Sequence, residues 1–158
     1  MADRIDGFSG RYPLADLGAT QGLAGRIAAG LRAGHTVALR GDLGAGKTAL
    51  ARDILRALGV EGHVPSPTFT LVQTYETARG PVFHFDLYRI EHERELEQLG
   101  FEEALDLGIV LVEWPERAPG AIPDDALNVT LELRADGTRN AALSGTAYWR
   151  SYLDEDHD

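Results

Sequence analysis

Apolar residues fall at every fourth position in Leu23, Ile27 and Leu31, the spacing of one helix face, and Thr20 is suited to cap that helix. Gly22, Gly25 and Gly30 weaken the segment by propensity, so packing has to hold it. From His35 to Arg40 the period shortens to two, with Val37 and Leu39 on one side, and predicts a short strand. A helix is expected from about Lys47 to Leu58, stopped by Gly59. Beyond the proline-punctuated segment Val64–Thr68, the pattern predicts strands over Phe69–Glu76 and Pro81–Tyr88, joined by a turn at Arg79-Gly80. Glu93–Leu99 and Phe101–Leu107 read as short helices broken at Gly100. Gly108–Trp114 carries the unbroken run Ile-Val-Leu-Val expected of a strand in the middle of a sheet. Asn128–Arg134 and Arg139–Ser144 read as the arms of a hairpin around Asp136-Gly137.

Helices intermixed with strands in this way predict an α/β protein, a central sheet flanked by helices with a C-terminal β-hairpin. With no internal repeat, low-complexity stretch or linker, the 158 residues are expected to form one domain, with residues 1–10 and 154–158 as flexible ends. There is no cysteine, which excludes disulfides, thiolate catalysis and cysteine metal sites. The start of the chain is polar and no apolar run approaches the ~18 residues of a membrane helix, so a cytoplasmic location is expected. A formal net charge of −10 argues against direct, strong binding of nucleic acid by this chain alone.

Fourteen of the fifteen basic residues are arginine, and the one lysine is Lys47. It lies in Gly41 to Thr48, Gly-Asp-Leu-Gly-Ala-Gly-Lys-Thr, which matches the phosphate-binding pattern Gly-x-x-x-x-Gly-Lys-Thr between a predicted strand and a predicted helix. The glycines permit positive φ and close approach of the backbone to phosphate oxygens. Backbone N–H groups of Leu43, Gly44, Ala45, Gly46, Lys47 and Thr48 are expected to face the anion at the helix N-terminus. A compact ammonium at Lys47 suits the β- and γ-phosphates of ATP, or the β-phosphate of ADP, and the Thr48 hydroxyl suits magnesium. The fold class thereby narrows to a P-loop nucleotide-hydrolase sheet.

A carboxylate at the end of an apolar strand is the second requirement. Glu113 ends Ile109-Val110-Leu111-Val112, and Asp86 ends Val82-Phe83-His84-Phe85. In the latter strand Phe83, Phe85 and Leu87 share one face, while His84, Asp86 and Tyr88 share the other. Either acid could bind the metal or orient water, and the sequence leaves that open. His84 by itself reads as a structural histidine. Ser66-Pro67-Thr68 fits a switch loop in which Thr68 senses the γ-phosphate and its magnesium, or a rigid proline turn.

These segments, with Ser-Pro-Thr-Phe-Thr-Leu-Val (66–72), His-Phe-Asp-Leu-Tyr-Arg (84–89) and Leu-Val-Glu-Trp-Pro-Glu (111–116), resemble the TsaE family, formerly YjeE. The resemblance runs from about Leu14 to the last hairpin. It implies an ATPase subunit of the system that makes threonylcarbamoyladenosine on tRNA. Such a subunit works with TsaB and TsaD and reaches tRNA only through that complex. It further implies that Leu43 to Thr48 bind phosphates, that Thr48 and Glu113 bind Mg2+, and that Asp86 lies beside the metal. By the same resemblance Thr68 belongs to the switch-like loop, and Trp114 is the signature tryptophan. The expected reaction is magnesium-assisted attack of water on the γ-phosphate, with Lys47 offsetting charge and Asp86 or Glu113 orienting the water.

Three other readings compete. A small-molecule P-loop kinase needs a lid of arginines, for which Arg89 and Arg94 are thin support. A GTPase needs an Asn-Lys-x-Asp segment, and none is present. A non-enzymatic, nucleotide-dependent switch module fits the same motifs.

Overall fold

The computed structural model describes residues 7–42 and 44–154. Its elements run β1 (Phe8–Leu14), α1 (Leu17–Gly30), β2 (Thr36–Arg40), α2 (Lys47–Ala57), β3 (Val72–Thr77), β4 (Gly80–Asp86), α3 (Glu95–Gln98), α4 (Phe101–Leu107), β5 (Ile109–Glu113), β6 (Leu127–Leu133), β7 (Arg139–Gly145) and α5 (Arg150–Leu153). The strands make a seven-stranded sheet in the order β1-β7-β6-β2-β5-β4-β3. β2 is parallel to β5 and β6, and β5 is parallel to β4, while β1, β3 and β7 pair antiparallel at the two sides. The chain is thus the mixed α/β sheet that the pattern predicts.

Strand alternation divides the core in two. Val37, Leu39, Ile109, Leu111, Val129 and Leu131 face α1 and α2, where Leu23, Ile27, Leu50 and Ile54 are buried against them. Phe85, Val110 and Val112 face the other way, onto Leu96, Phe101 and Ala104 of α3 and α4. Phe85 meets Phe101 edge-on with ring centroids 4.9 Å apart, a favoured aromatic geometry. Because β2 and β5 are covered on both faces, their apolar runs are nearly continuous.

Several boundaries differ from the sequence expectation. Phe8, Ser9 and Gly10, expected in a flexible end, begin β1, which pairs with β7 from Phe8↔Gly145 to Leu14↔Arg139. Phe8, Tyr12 and Leu14 alternate into the core, a period-two signal too short to register against its polar neighbours. At the other end Asp154 donates its N–H to the Arg150 carbonyl. Residues 1–6 and 155–158 lie outside the described part. The cap of α1 is Asp16 rather than Thr20: its extended backbone (φ −153°) lets its carboxylate accept from Ala19 N–H at 2.8 Å, one turn earlier. β3 begins at Val72 rather than Phe69, because Leu71 has positive φ (69°) and donates back to the Pro67 carbonyl, which closes a turn. The helix expected over 93–99 shrinks to Glu95–Gln98, since the Glu95 carboxylate turns back to accept from the N–H groups of Glu91 and His92. No helix among the described residues is long and apolar enough to cross a membrane.

Candidate functional site

Parallel pairing brings the candidate residues to one end of the sheet. Glu113 is the last residue of β5, opposite Leu39 of β2 on one side and Asp86 of β4 on the other. The chain leaving β2 becomes the glycine-rich loop and enters α2 at Lys47. Ligands of open α/β sheets bind at such carboxyl ends of parallel strands. The cleft there has a volume of about 350 Å³, and its walls include Gly44, Gly46, Lys47, Thr48, Thr68 and Trp114.

The loop has the backbone that the motif demands. Gly41, Gly44 and Gly46 take φ of 148°, 82° and 106°. A Cβ at Gly41 would stand 2.8 Å from the Leu131 carbonyl oxygen, so β6 presses directly on the loop. A Cβ at Gly44 would meet nothing within 4 Å, which leaves that backbone open to an incoming group. Leu43 lies outside the described residues, and Ala45 is buried in the core. Lys47 Nζ donates to the carbonyls of Gly41 at 2.5 Å and Asp42 at 3.0 Å, and lies 4.1 Å from the centroid of the Trp114 ring. Burial pulls its pKa below the usual lysine value, against the raising pull of Glu113, Glu116, Asp86 and Asp42.

The two acids are buried at the floor of the cleft, Asp86 with 5% and Glu113 with 2% exposure. Glu113 Oε1 accepts from the Thr48 hydroxyl at 2.8 Å, and Oε2 accepts from His84 Nε2–H at 2.7 Å. Asp86 Oδ1 accepts from Tyr88 N–H at 3.0 Å. Its Oδ2 faces the Thr68 hydroxyl at 3.2 Å, and Thr68 in turn pairs with Ser66 Oγ at 2.7 Å. The proline segment therefore reaches the acid row through Thr68. On the polar side of β4, His84 and Asp86 are buried, while Tyr88 beyond the strand end stays partly exposed.

Trp114 holds a left-handed backbone (φ 59°), a strained conformation for a bulky residue at the lip of a cleft. Its ring lies 4.8 Å from that of Tyr88, which carries Arg117 at 5.2 Å on its own ring. Arg89 lines the cleft and stacks on Phe69 at 4.6 Å, whereas Arg94 lines a separate groove beside α3 and α4. Arg139, which the sequence reading passed over, stands at the start of β7 with Nη2 3.3 Å from the Gly44 carbonyl. Its hairpin gave no chemical signal; only the β2–β6 pairing reveals that it leans on the loop.

The residues fit magnesium and nucleotide phosphates. The donors at the floor are hard oxygens, a hydroxyl and carboxylates, as Mg2+ requires. Among the described residues no three acidic or imidazole groups form a cage of their own. Mg2+ is commonly held by one or two carboxylates with phosphate oxygens completing its shell, which matches Thr48, Glu113 and Asp86 beside an anion cradle.

Comparison with known proteins points one way. The family model described as threonylcarbamoyl adenosine biosynthesis protein TsaE matches residues 14–141. The chain is 37% identical over 136 residues to a tRNA threonylcarbamoyladenosine biosynthesis protein TsaE of Rickettsia felis, covering 85% of this chain and 80% of the relative. It is 45% identical over 111 residues to the TsaE protein of a Synechocystis species, covering 67% and 70%. The crystal structure of Bacillus subtilis YdiB superposes with a TM-score of 0.74 at 26% identity, over 92% of this chain and 90% of that one.

Proposed function

The chain belongs to the TsaE family of threonylcarbamoyl adenosine biosynthesis proteins, and on that premise we propose that it is an ATPase whose cleft takes Mg-ATP at the ends of β2, β4 and β5. Its role is to support threonylcarbamoyladenosine modification of tRNA together with TsaB- and TsaD-type proteins. The observation that carries the reading is the 2.8 Å bond from the Thr48 hydroxyl to Glu113, one residue along from Lys47 and beneath the open glycine backbone. That juxtaposition joins a metal-type hydroxyl, a carboxylate and a phosphate-type cation, which a plain glycine turn has no need of.

Bound magnesium would offset phosphate charge and act as a Lewis acid. The protein's own groups do the remainder. The loop amides and Lys47 hold the phosphates, with Lys47 exchanging its carbonyl partners Gly41 and Asp42 for phosphate oxygens. Thr48 and Glu113 form the metal side of the floor. Asp86, tied to Thr68, orients the attacking water and accepts its proton as the bond to the γ-phosphorus forms and the bridging oxygen leaves with ADP. Thr68 carries the state of the γ-phosphate into the 66–72 segment.

The test is ATP turnover by the chain alone, with tRNA, and with the two partner proteins. Slow turnover alone, no gain from tRNA and a clear gain from the partners are expected, since partners commonly complete such sites. Stimulation by tRNA alone, or none by the partners, would overturn the tRNA-modification reading. Equal partner binding with ATP and with a non-hydrolysable analogue, and no turnover, would favour a switch module instead.

A further inference from the structure

We propose that His84 is a positioning residue: through its Nε2–H it fixes the orientation of the Glu113 carboxylate that faces Thr48. The inference rests on the reading of Thr48 and Glu113 as the magnesium side of the cleft.

Strand geometry produces the contact. His84 pairs with Leu111 and Asp86 with Glu113, so His84 and Glu113 are diagonal neighbours on one face of adjacent strands. That spacing is within reach of long side chains. The imidazole is fully buried, and its Nε2 lies 2.7 Å from Glu113 Oε2. The other oxygen, Oε1, accepts from Thr48 at 2.8 Å. Each oxygen of the carboxylate therefore has one donor, and the two donors on opposite sides fix the plane of the group. A carboxylate otherwise turns freely about its last bond. At 2% exposure Glu113 has little water to hold it in place of a protein donor.

The other ring nitrogen argues against a filler role. His84 Nδ1 is buried and has no hydrogen-bond partner among the described residues. Buried polar atoms are nearly always satisfied, and an apolar ring of similar size would fill the same space without an orphan. The histidine keeps one nitrogen unpaired in order to place the other on Glu113. Groups that hydrogen-bond to metal-binding side chains typically change metal affinity or activity by about 10- to 100-fold when removed.

The test measures ADP binding by calorimetry with and without Mg2+, and the Mg2+ concentration that half-saturates its effect. The variants are His84→Phe, His84→Asn and His84→Gln, each checked by thermal unfolding. Phe removes the donor, the Asn amide is too short to reach, and the Gln amide has the reach of Nε2. The expected result is half-saturation raised about 10- to 100-fold in His84→Phe and His84→Asn, with recovery towards wild type in His84→Gln. Affinity for ADP without Mg2+ should stay within about threefold throughout, because the loop contacts remain. If His84→Phe fails to fold, the contrast between Asn and Gln decides in the same way. Wild-type Mg2+ dependence in a folded His84→Phe or His84→Asn, or equal losses with and without Mg2+, overturns the role. Absence of any Mg2+ effect in the wild-type chain instead overturns the reading of Thr48 and Glu113, and the role of His84 with it.

Discussion

Lys47 Nζ lies 4.1 Å from the centroid of the Trp114 ring, within cation–π range, while it donates to the Gly41 and Asp42 carbonyls. Phosphate binding has to draw the ammonium away from at least one of these partners, so the indole reports on nucleotide. Mg-ATP should change the intrinsic fluorescence, and Trp114→Phe should remove the change. Trp149, buried beside Gly30 and His35, should stay silent. A response that survives in Trp114→Phe would contradict this coupling.

Lys47→Ala should weaken ATP binding by about 10- to 100-fold, the worth of a charge-assisted hydrogen bond, with the fold retained. Lys47→Arg should do nearly as badly. The amine sits within a narrow frame of two carbonyls and a ring, which a broad planar guanidinium does not fit. Calorimetric titration of the folded variants is the measurement, and wild-type affinity in either would refute it.

Glu113→Ala and Asp86→Asn should lower turnover in the assembled complex by about 100-fold or more while changing nucleotide affinity far less. Glu113→Ala should show the greater loss of Mg2+ dependence. It also strips the acceptor from Thr48 and the buried His84, so a stability loss of about 1–3 kcal/mol is expected alongside. Single-turnover hydrolysis and urea unfolding separate the two effects. Unchanged hydrolysis in both variants would remove them from the chemistry.

Gly41→Ala should cost about 2–3 kcal/mol of stability, from a positive φ of 148° and a methyl 2.8 Å from the Leu131 carbonyl oxygen. Gly44→Ala meets nothing within 4 Å, so only its backbone term, about 1 kcal/mol, should register. Equal midpoint shifts in urea unfolding would show that β6 does not brace the loop.

The parallel strands β2, β4 and β5 were legible because parallel sheets write themselves as apolar runs, and Asp86 and Glu113 follow directly on two of those runs. The position of Asp16 as cap was hidden by Thr20, an equally good cap residue one turn later. β1 was missed since its core residues Phe8, Tyr12 and Leu14 need a partner strand far along the chain to make sense of them. His84 and Arg139 were illegible for a related reason. Their roles depend on the register of β4 against β5 and of β6 against β2, which no local pattern encodes.

Pairing of Phe8 with Gly145 has a consequence for the order of events during synthesis. β1 is made before the other described strands yet has no strand to join until β7 emerges, and Gly41 lacks its brace until Leu131 has been made. Contacts this distant in sequence form late and slowly. The sheet edge at β1 and the brace on Gly41 are therefore completed only after β6 and β7 have been made. Phe8, Tyr12 and Leu14 stay without their β7 partners until then.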